Sequence, residues 1–450
     1  MKLDTEHHPT ITREWLETFS ERYHKDPLRT RVANAIQQHG IQAAALNTQH
    51  ITEIPFTFSH EISSGPITHQ RQSGRCWIFA ALNTLRIALM RQNKIKEFEI
   101  SQTYLMFWDK LEKANYFLEN ILETLDEPTD GRLIAWLLQA PVQDGGQWDM
   151  LVNLIQKYGV VPKYIMPETF HSSQSMLMNR LLTLKLREDA FILREKYRTG
   201  EDSSQLSERK MQMVADIYQM LVHFLGEPPQ KFTFEYRDED NQFHQDVNVT
   251  PQAFYDKYIG IDLDQYVSLI HAPTADKPFG RTYTVQFLGN VKGGRPVRYL
   301  NVEISVLKEA AKAQILDDEP VWFGCDVGKM SDRTTGIMDP ALFDYDLTLG
   351  VPFTLDKATR LEYGESQMTH AMVLTGVNLL EGKPNRWKVE NSWGTEPGNQ
   401  GFFVMSDTWF DEYLYQVVVH KKYLSDELRE ALHDDPIVLP PWDPMGSLAY

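Results

Sequence analysis

Residues 70–83 of the chain read QRQSGRCWIFAALN. The Ser-Gly pair is typical of a loop, and the apolar residues that follow recur at helical spacing, at Ile78, Leu82, Leu85 and Leu89. The pattern therefore predicts a loop that enters a helix, with Cys76 in the first turn. A cysteine there is a candidate nucleophile, because the positive end of the helix dipole and the unpaired N–H groups favour the thiolate. An isolated cysteine is more often a buried structural residue, so other parts of the sequence have to decide.

Gln70 precedes Cys76 by six residues. The loop between them can double back toward the thiol, which would let the Gln70 side-chain amide donate a hydrogen bond to an oxyanion. Together with the backbone N–H of Cys76 it would form a two-donor oxyanion hole. A surface glutamine explains Gln70 equally well when this residue is taken alone.

Two residues far along the chain could complete such a site. His370 begins an apolar strand pattern that ends at a glycine, and Asn391 follows the next strand pattern in the sequence ENSWG. The Asn391 amide oxygen could accept the imidazole N–H and hold one tautomer, and Trp393 could shield that hydrogen bond from water. A core histidine and a turn asparagine are the alternatives for the single residues.

The order and flanks of these residues resemble the catalytic set of the papain-like cysteine peptidases: a glutamine, a Cys-Trp pair, a histidine on a strand and an Asn-Ser-Trp-Gly turn. The separation from Cys76 to His370 (370 minus 76) is 294 residues, whereas papain-type enzymes place the histidine about 130–150 residues after the cysteine. The excess resembles the bleomycin hydrolase and bacterial aminopeptidase C branch. That resemblance implies Cys76, His370 and Asn391 as catalytic residues, with Gln70 at the oxyanion.

The sequence QDGGQW at residues 143–148 resembles the loop on which papain-like enzymes hold an extended substrate. Gly145 and Gly146 would pair with the substrate backbone, because glycine permits a close approach. A turn before the next helix is the alternative. Trp393 is a further candidate for substrate binding.

The end of the sequence, LPPWDPMGSLAY at residues 439–450, resembles the arm that lies inside the cleft in this branch. We call it the C-terminal arm. Its prolines reduce the entropy lost on ordering, and Trp442 and Met445 are expected to anchor it by apolar burial. The resemblance places Ala449 and Tyr450 at the substrate, where a carboxylate would receive the free amine of a peptide.

The fold implied by the resemblance is α+β. It comprises a papain-like two-lobed core, with a helical lobe and a β-barrel-like lobe, a large helical insertion and an N-terminal extension. The texture of the sequence agrees, since helical patterns dominate up to about residue 225 and strand patterns follow. We predict five segments: 1–60 as the N-terminal helical extension, 61–170 as the helical lobe, 171–300 as the inserted helical and oligomerisation region, 301–438 as the strand-rich lobe, and 439–450 as the arm.

Composition narrows the possible partners. The formal charge of -17 and the lack of a basic run argue against nucleic acid, and charge interrupts every apolar stretch before about 20 residues, which argues against a membrane span. Without a signal-like start, a cytoplasmic protein is expected, in which Cys76 and Cys325 stay reduced. Cys325 has no assigned role. No metal-ligand spacing or nucleotide loop is present, so neither metal nor cofactor is implied.

The resemblance implies a cysteine aminopeptidase that removes N-terminal residues from peptides with broad specificity and also hydrolyses bleomycin-like amides. It further implies a homohexamer. Two alternatives stay open: a hydrolase or acyl transferase acting on small non-peptide amides, which would use the same residues, and a ring-shaped binding protein.

Overall fold

The computed structural model describes residues 10–447. Contacts within this part divide it into two compact units, one of residues 10–55 with Pro340–Thr354 and one of Phe56–Asp339 with residues 355–447. All of the described candidate catalytic residues belong to the second unit. The five segment boundaries predicted from the sequence stay predictions.

Helices account for most of the first half of the described chain. They are α1 (Arg13–His24), α2 (Pro27–His39), α3 (Ile41–Ala45), α4 (Thr48–Thr52), α5 (Cys76–Asn93), α6 (Gln102–Glu123), α7 (Arg132–Gln139), α8 (Trp148–Tyr158), α9 (Phe170–Ser173), α10 (Met176–Arg198), α11 (Ser203–Leu225), α12 (Pro251–Tyr258), α13 (Ile304–Leu316), α14 (Tyr345–Leu349), α15 (Lys357–Glu362), α16 (Asp407–Tyr413) and α17 (Asp426–Ala431). This agrees with the helical patterns that dominate the sequence up to about residue 225. Within residues 10–447, none of the helices is both long and apolar enough to cross a membrane.

Strands follow mainly after residue 230. They are β1 (His60–Glu61), β2 (Phe232–Arg237), β3 (Phe243–Val249), β4 (Tyr266–Ile270), β5 (Arg281–Val285), β6 (Tyr299–Asn301), β7 (Val321–Cys325), β8 (Ser331–Asp332), β9 (Ile337–Met338), β10 (His370–Leu380), β11 (Lys383–Glu390), β12 (Phe402–Ser406), β13 (Leu414–His420) and β14 (Ile437–Leu439). Residues 171–300 are thus helical up to Leu225 and then alternate strands with α12, as expected from the period-2 patterns after residue 231.

The smaller unit is a helical segment tied to a distant loop. Its helices have sequence-encoded starts, since the Thr12 side chain accepts from Trp15 N–H and Asp26 caps α2, in which Pro27 occupies the first position. A β-bridge between Leu46 and Phe343 joins the two chain segments. No residue of α1 or α2 is buried in the described chain.

The larger unit is built on one mixed sheet. Its strands run in the order β14-β5-β6-β4-β13-β7-β10-β11-β12-β9-β8, with β1 added beside β10, while β2 and β3 form a separate hairpin. Side chains of β10 alternate between two buried clusters: Ala371 and Val373 pack with the helical cluster, and Met372 and Leu374 pack with the cluster around α13 and α16. The sheet therefore separates two hydrophobic cores.

Helix α5 packs against β10 and carries the first residue of the candidate site. Two polar contacts fix it on the sheet. The Trp322 indole donates to the Trp77 carbonyl at 3.2 Å, and Arg86 forms a fully buried ion pair with Glu390 at 2.7 Å. Because Glu390 ends β11, this ion pair connects the helix of Cys76 to the strand that leads into Asn391.

Candidate active site

Cys76 is the first residue of α5, as the sequence predicted. Its side chain is almost fully buried, at 1% exposure, and this burial raises the pKa of the thiol to about 12, although the backbone N–H groups of Ala371 and Trp77 favour the thiolate. Desolvation therefore outweighs the helix N-terminus. Burial thus favours the protonated thiol, and a nearby base could take up its proton.

His370 and Asn391 meet because two antiparallel strands bring them to one edge. β10 begins at His370 and β11 ends at Glu390, and the register pairs Val373 with Glu390. The His370 Nε2 lies 2.9 Å from Asn391 Oδ1. This geometry brings together two residues that the sequence proposed as a pair.

The hydrogen bonds of Asn391 determine the imidazole tautomer. Its Oδ1 also accepts the backbone N–H of Ser392 at 2.8 Å, and because an N–H can only donate, this atom is the amide oxygen. The hydrogen between His370 and Asn391 therefore sits on Nε2, which leaves Nδ1 as the basic atom. Burial lowers the pKa of His370 to about 4, so the imidazole is neutral at pH 7 and can accept a proton.

Trp393 lies against His370. The two ring centroids are 4.8 Å apart with an interplanar angle of 32°, and the Arg333 guanidinium lies 5.0 Å from the Trp393 ring centroid. The next residue, Gly394, has φ +83°, and a Cβ there would lie 2.6 Å from His69, so the turn requires glycine. Direct contact of Trp393 with substrate stays a prediction.

Gln70 is held in place by the residue that follows Asn391. Ser392 Oγ donates to Gln70 Oε1 at 2.7 Å, and the Gln70 backbone N–H donates to the Ser392 carbonyl at 2.8 Å. The Gln70 Nε2 donates one hydrogen to the Ser73 carbonyl at 2.7 Å. One amide hydrogen is left for an external acceptor. Sequence reasoning missed Ser392, whose only signal was its position inside the Asn-Ser-Trp-Gly turn.

Gly146 lies over the indole of the residue after Cys76. A Cβ on Gly146 would lie 2.7 Å from the Trp77 ring, which no side chain could tolerate without a shift. Its own N–H and C=O make no hydrogen bond within residues 10–447. They are available to an extended ligand in the way that the sequence predicted for this glycine.

A cavity of about 700 Å³ adjoins the glycine pair. Gly145, Gly146 and Gln367 contribute to its wall, and so do residues of the C-terminal arm from Pro441 to Ser447. The described part of the arm therefore borders the same cavity as Gly145 and Gly146. Ala449 and Tyr450 lie outside the described residues.

The arm is anchored by polar and apolar contacts. Met445 is 1% exposed and its carbonyl accepts the Tyr299 hydroxyl at 3.0 Å, while Asp443 pairs with the buried Lys277 at 2.9 Å. The expected burial of Trp442 is wrong, because this side chain is 39% exposed. Its ring is instead covered by the Arg132 guanidinium, 3.7 Å from the ring centroid.

The buried carboxylate of Asp144 has four polar partners beside the site, and this role was not predicted from the sequence. Its carboxylate pairs with the buried Lys110 at 2.6 Å, accepts the Gly74 N–H at 2.8 Å and also binds Ser175 and Asn179. The Lys110 charge and the hydrogen bonds hold the pKa of this carboxyl well below its usual range, despite burial. Asp144 thus joins the loop before Cys76 to the loop of Gly145. Nothing local in the sequence identifies Lys110 as its partner.

No group of three or more His, Cys, Asp or Glu side chains in the described part of the chain is arranged to hold a metal ion. The hydrogen-bonded pair of His370 and Asn391 lies at a strand edge, and the backbone N–H of the neighbouring Ala371 approaches the sulfur of Cys76 at the start of α5. This arrangement is typical of a papain-like cysteine peptidase.

Comparison with known proteins agrees with this class. The Peptidase C1-like family matches residues 10–446, and the chain belongs to this family. Aminopeptidase C of Listeria monocytogenes serovar 1/2a is 55% identical over 439 residues, which cover 98% of this chain and 99% of that protein. Aminopeptidase C of Lactobacillus delbrueckii subsp. lactis is 45% identical over 443 residues, with 98% and 99% covered.

A solved structure is similar over nearly the whole chain. The crystal structure of PepW from Lactobacillus rhamnosis superposes with a TM-score of 0.97 at 52% identity and covers 98% of this chain and 100% of that one. These findings confirm the predicted family and the papain-like fold with mixed α and β structure. They also confirm the prediction of a cysteine aminopeptidase. The roles of single residues are a separate question.

Proposed function

We propose that the chain removes N-terminal residues from peptides with broad specificity, using Cys76, His370 and Asn391. The observation that carries this proposal is the 2.9 Å contact of His370 Nε2 with an Asn391 oxygen whose identity is set by the Ser392 N–H. This contact leaves Nδ1 of His370 as a free basic nitrogen. The backbone N–H of the next residue, Ala371, approaches the Cys76 sulfur.

In the proposed mechanism, Cys76 Sγ attacks the scissile carbonyl carbon as the thiol proton passes to His370 Nδ1. The imidazolium then gives this proton to the leaving amine, the C–N bond breaks and a thioester remains. Water next attacks the thioester, with His370 as the base, and releases the amino acid and the thiol. Asn391 keeps the imidazole in one tautomer throughout.

Gln70 is proposed to stabilise the oxyanion together with the Cys76 backbone N–H. Both of its other polar contacts, to Ser73 and Ser392, restrict the amide to one orientation. The remaining hydrogen is therefore positioned before substrate binds, which is the condition under which such a donor contributes roughly 2.7–4 kcal/mol to the transition state.

Gln70→Ala should lower kcat by about 10²–10³-fold with a smaller change in KM, because this donor acts mainly on developing charge. Steady-state kinetics on an aminoacyl fluorophore measure both constants. The control is Gln72→Ala, in an exposed residue of the same loop whose backbone N–H bonds to Ser173. An unchanged kcat in Gln70→Ala would remove glutamine from the oxyanion hole.

The finer architecture that we propose is a two-lobed core, a helical lobe around Cys76 and a strand-rich lobe carrying His370 and Asn391. Residues 171–300 would be an insertion and residues 1–60 an extension. The division of the buried side chains into two clusters on the faces of the sheet supports this arrangement.

Selectivity for the N-terminus is proposed to come from the C-terminal arm. The arm is held by Lys277, Tyr299 and Arg132 and borders the cavity beside Gly146, so it would occupy space that a longer peptide needs. If the arm binds the free amine and makes no specific contact with the first side chain of the peptide, broad specificity follows.

Two other functions use parts of the same site. A hydrolase or acyl transferase acting on small non-peptide amides, bleomycin-like compounds included, would employ Cys76 and His370 in the same way. A ring-shaped binding protein would not need the thiol at all. The buried hydrogen-bonded pair of His370 and Asn391 favours hydrolysis over binding alone, because a binding surface gains nothing from a neutral buried imidazole.

A homohexamer is also proposed, built partly by α10. This helix exposes an apolar stripe that consists of Leu177, Leu181, Leu184 and Phe191, from 38% to 65% exposed. Spacings of four, three and seven residues place these side chains on one helix face. Such a stripe is typical of a surface that is covered by another protein molecule.

Leu184→Glu should lower the oligomer mass, because an uncompensated carboxylate would enter an apolar contact. Light scattering after size-exclusion chromatography measures the mass directly. Lys383→Gln is a matched control, since it changes the net charge by the same amount at an exposed residue in the β10–β11 hairpin. An unchanged hexamer in Leu184→Glu would exclude this stripe from the interface, and a monomeric wild type would overturn the assembly itself.

A further inference from the structure

Three consecutive backbone carbonyls before Gly146 are all bound by side chains from inside the protein. Lys113 Nζ donates to the Gln143 carbonyl at 3.0 Å and to the Gly145 carbonyl at 2.6 Å. The Trp77 indole donates to the Asp144 carbonyl, which lies between them, at 2.7 Å. We call these two side chains and three carbonyls the carbonyl clamp.

The clamp leaves the backbone N–H and C=O of one loop residue unbound. Gly146, the next residue, has neither its N–H nor its C=O paired within residues 10–447, although it borders the cavity. The Gly145 carbonyl and the Gly146 N–H belong to the same planar peptide unit, so the bond from Lys113 to that carbonyl also restricts the direction of the Gly146 N–H. The groups proposed to pair with substrate are thereby held ready before substrate arrives.

The burial of the Lys113 side chain has an energetic cost. It is buried, and its charge is balanced by Asp109 at 2.7 Å. Asp109 in turn accepts from Asn290 at 3.1 Å, and Asn290 also donates to the Met150 carbonyl at 3.1 Å. Burying a lysine is unfavourable unless its hydrogen bonds are satisfied, and here the carboxylate and the two loop carbonyls satisfy the three donors of the ammonium.

The same network reaches both walls of the cavity. Asn290 follows the loop of residues 287–289, which lines the cavity together with Gly145 and Gly146. Lys113 itself lines it as well and lies 5.3 Å from the Trp77 ring centroid. A change at Lys113 should therefore alter the shape of the loop without touching Cys76, His370 or Gln70.

We propose that Lys113 is a positioning residue for substrate binding, which acts through the carbonyl clamp on the orientation of Gly146. This inference rests on the proposed function, in which Gly146 pairs with the peptide backbone. It differs from a purely structural role in one respect: loss of the ammonium should weaken peptide binding more than it slows the chemical step, and should leave the reactivity of the thiol unchanged.

The test compares Lys113→Met with the double variant Asp109→Asn/Lys113→Met. The single variant leaves Asp109 buried without its cation, whereas the double variant removes both charges, so the pair separates loss of the clamp from an unpaired charge. Lys185→Met is the matched control, because Lys185 forms the same i,i+4 ion pair with the buried Asp189 on α10.

Three quantities are measured for each variant: KM and kcat on a free-amine peptide substrate, and the rate at which iodoacetamide alkylates Cys76. Both Lys113 variants should raise KM by about 10- to 100-fold, with a kcat and an alkylation rate close to those of wild type. Lys185→Met should change none of them. Thermal melting of all variants reports whether they fold.

Several results would overturn the positioning role. An unchanged KM in both folded variants would do so, and a KM that recovers in the double variant would assign the effect to the unpaired Asp109 charge alone. A matching loss of the alkylation rate would mean that the nucleophile itself is disturbed. Full activity of Cys76→Ala would instead refute the proposed function, which keeps the two failures distinguishable.

Discussion

Cys76→Ala is expected to lower kcat by about 10⁵–10⁶-fold, which is the size of the loss when a nucleophile of this type is removed. The reason is chemical: in the proposed mechanism the Cys76 sulfur forms the thioester, and no other thiol in the described chain stands at a helix start. The measurement is release of a fluorophore from an aminoacyl substrate with a free amine. Residual turnover above background would come from the oxyanion donors alone.

Cys325→Ala is the control for that experiment. This thiol is fully buried and pairs in register with His370 across β7 and β10, so it tests whether a cysteine near the histidine can replace Cys76. We expect an unchanged mechanism and activity within about threefold of wild type, since the substitution removes only one buried atom and leaves the hydrogen bond of His370 intact. Full activity in Cys76→Ala would refute the central assignment.

A chain that ends at Gly446 is expected to cleave N-acetylated peptides about a thousandfold faster than the 450-residue chain does. In the proposed arrangement, a carboxylate of the arm receives the free amine of the peptide. An N-acetyl group would leave this carboxylate unpaired and would collide with the arm, and such mismatches cost several kcal/mol. Removing residues 447–450 removes both penalties. The anchors at Lys277, Tyr299 and Arg132 lie before the cut, so the rest of the arm should stay in place.

The substrates are a matched pair, one aminoacyl fluorophore with a free amine and its N-acetylated twin, together with a longer peptide analysed by mass spectrometry. Val438→Ala is the control, since it changes an exposed side chain in β14, ahead of the arm, and should keep wild-type selectivity. Cleavage of the blocked twin by the complete sequence would remove the arm from substrate selection while leaving a cysteine peptidase. If the truncated chain still failed to cleave the N-acetylated substrate, the arm would likewise have no role in substrate selection.

The candidate catalytic residues could be proposed from the sequence because each one stands next to a local signal. Cys76 follows a Ser-Gly loop and starts an apolar helical repeat, and His370 and Asn391 stand at the ends of two strand patterns. The protonation state of Cys76 could not be predicted locally, because the N–H groups at the helix start favour the thiolate whereas burial raises the pKa of the thiol. Burial depends on what packs around α5, and no local pattern contains that information.

The elements, the family and the candidate catalytic residues could be read from the amino-acid sequence, because helix and strand periodicity and the spacing of motifs are local properties. The contacts that support those residues became visible only in the folded chain. Ser392 bonds Gln70 across 322 residues of chain, Arg86 pairs with Glu390 across 304, and Lys113 holds a carbonyl 32 residues away. Such partners are selected by the need to satisfy buried polar groups, and that need arises only when the folded chain excludes water.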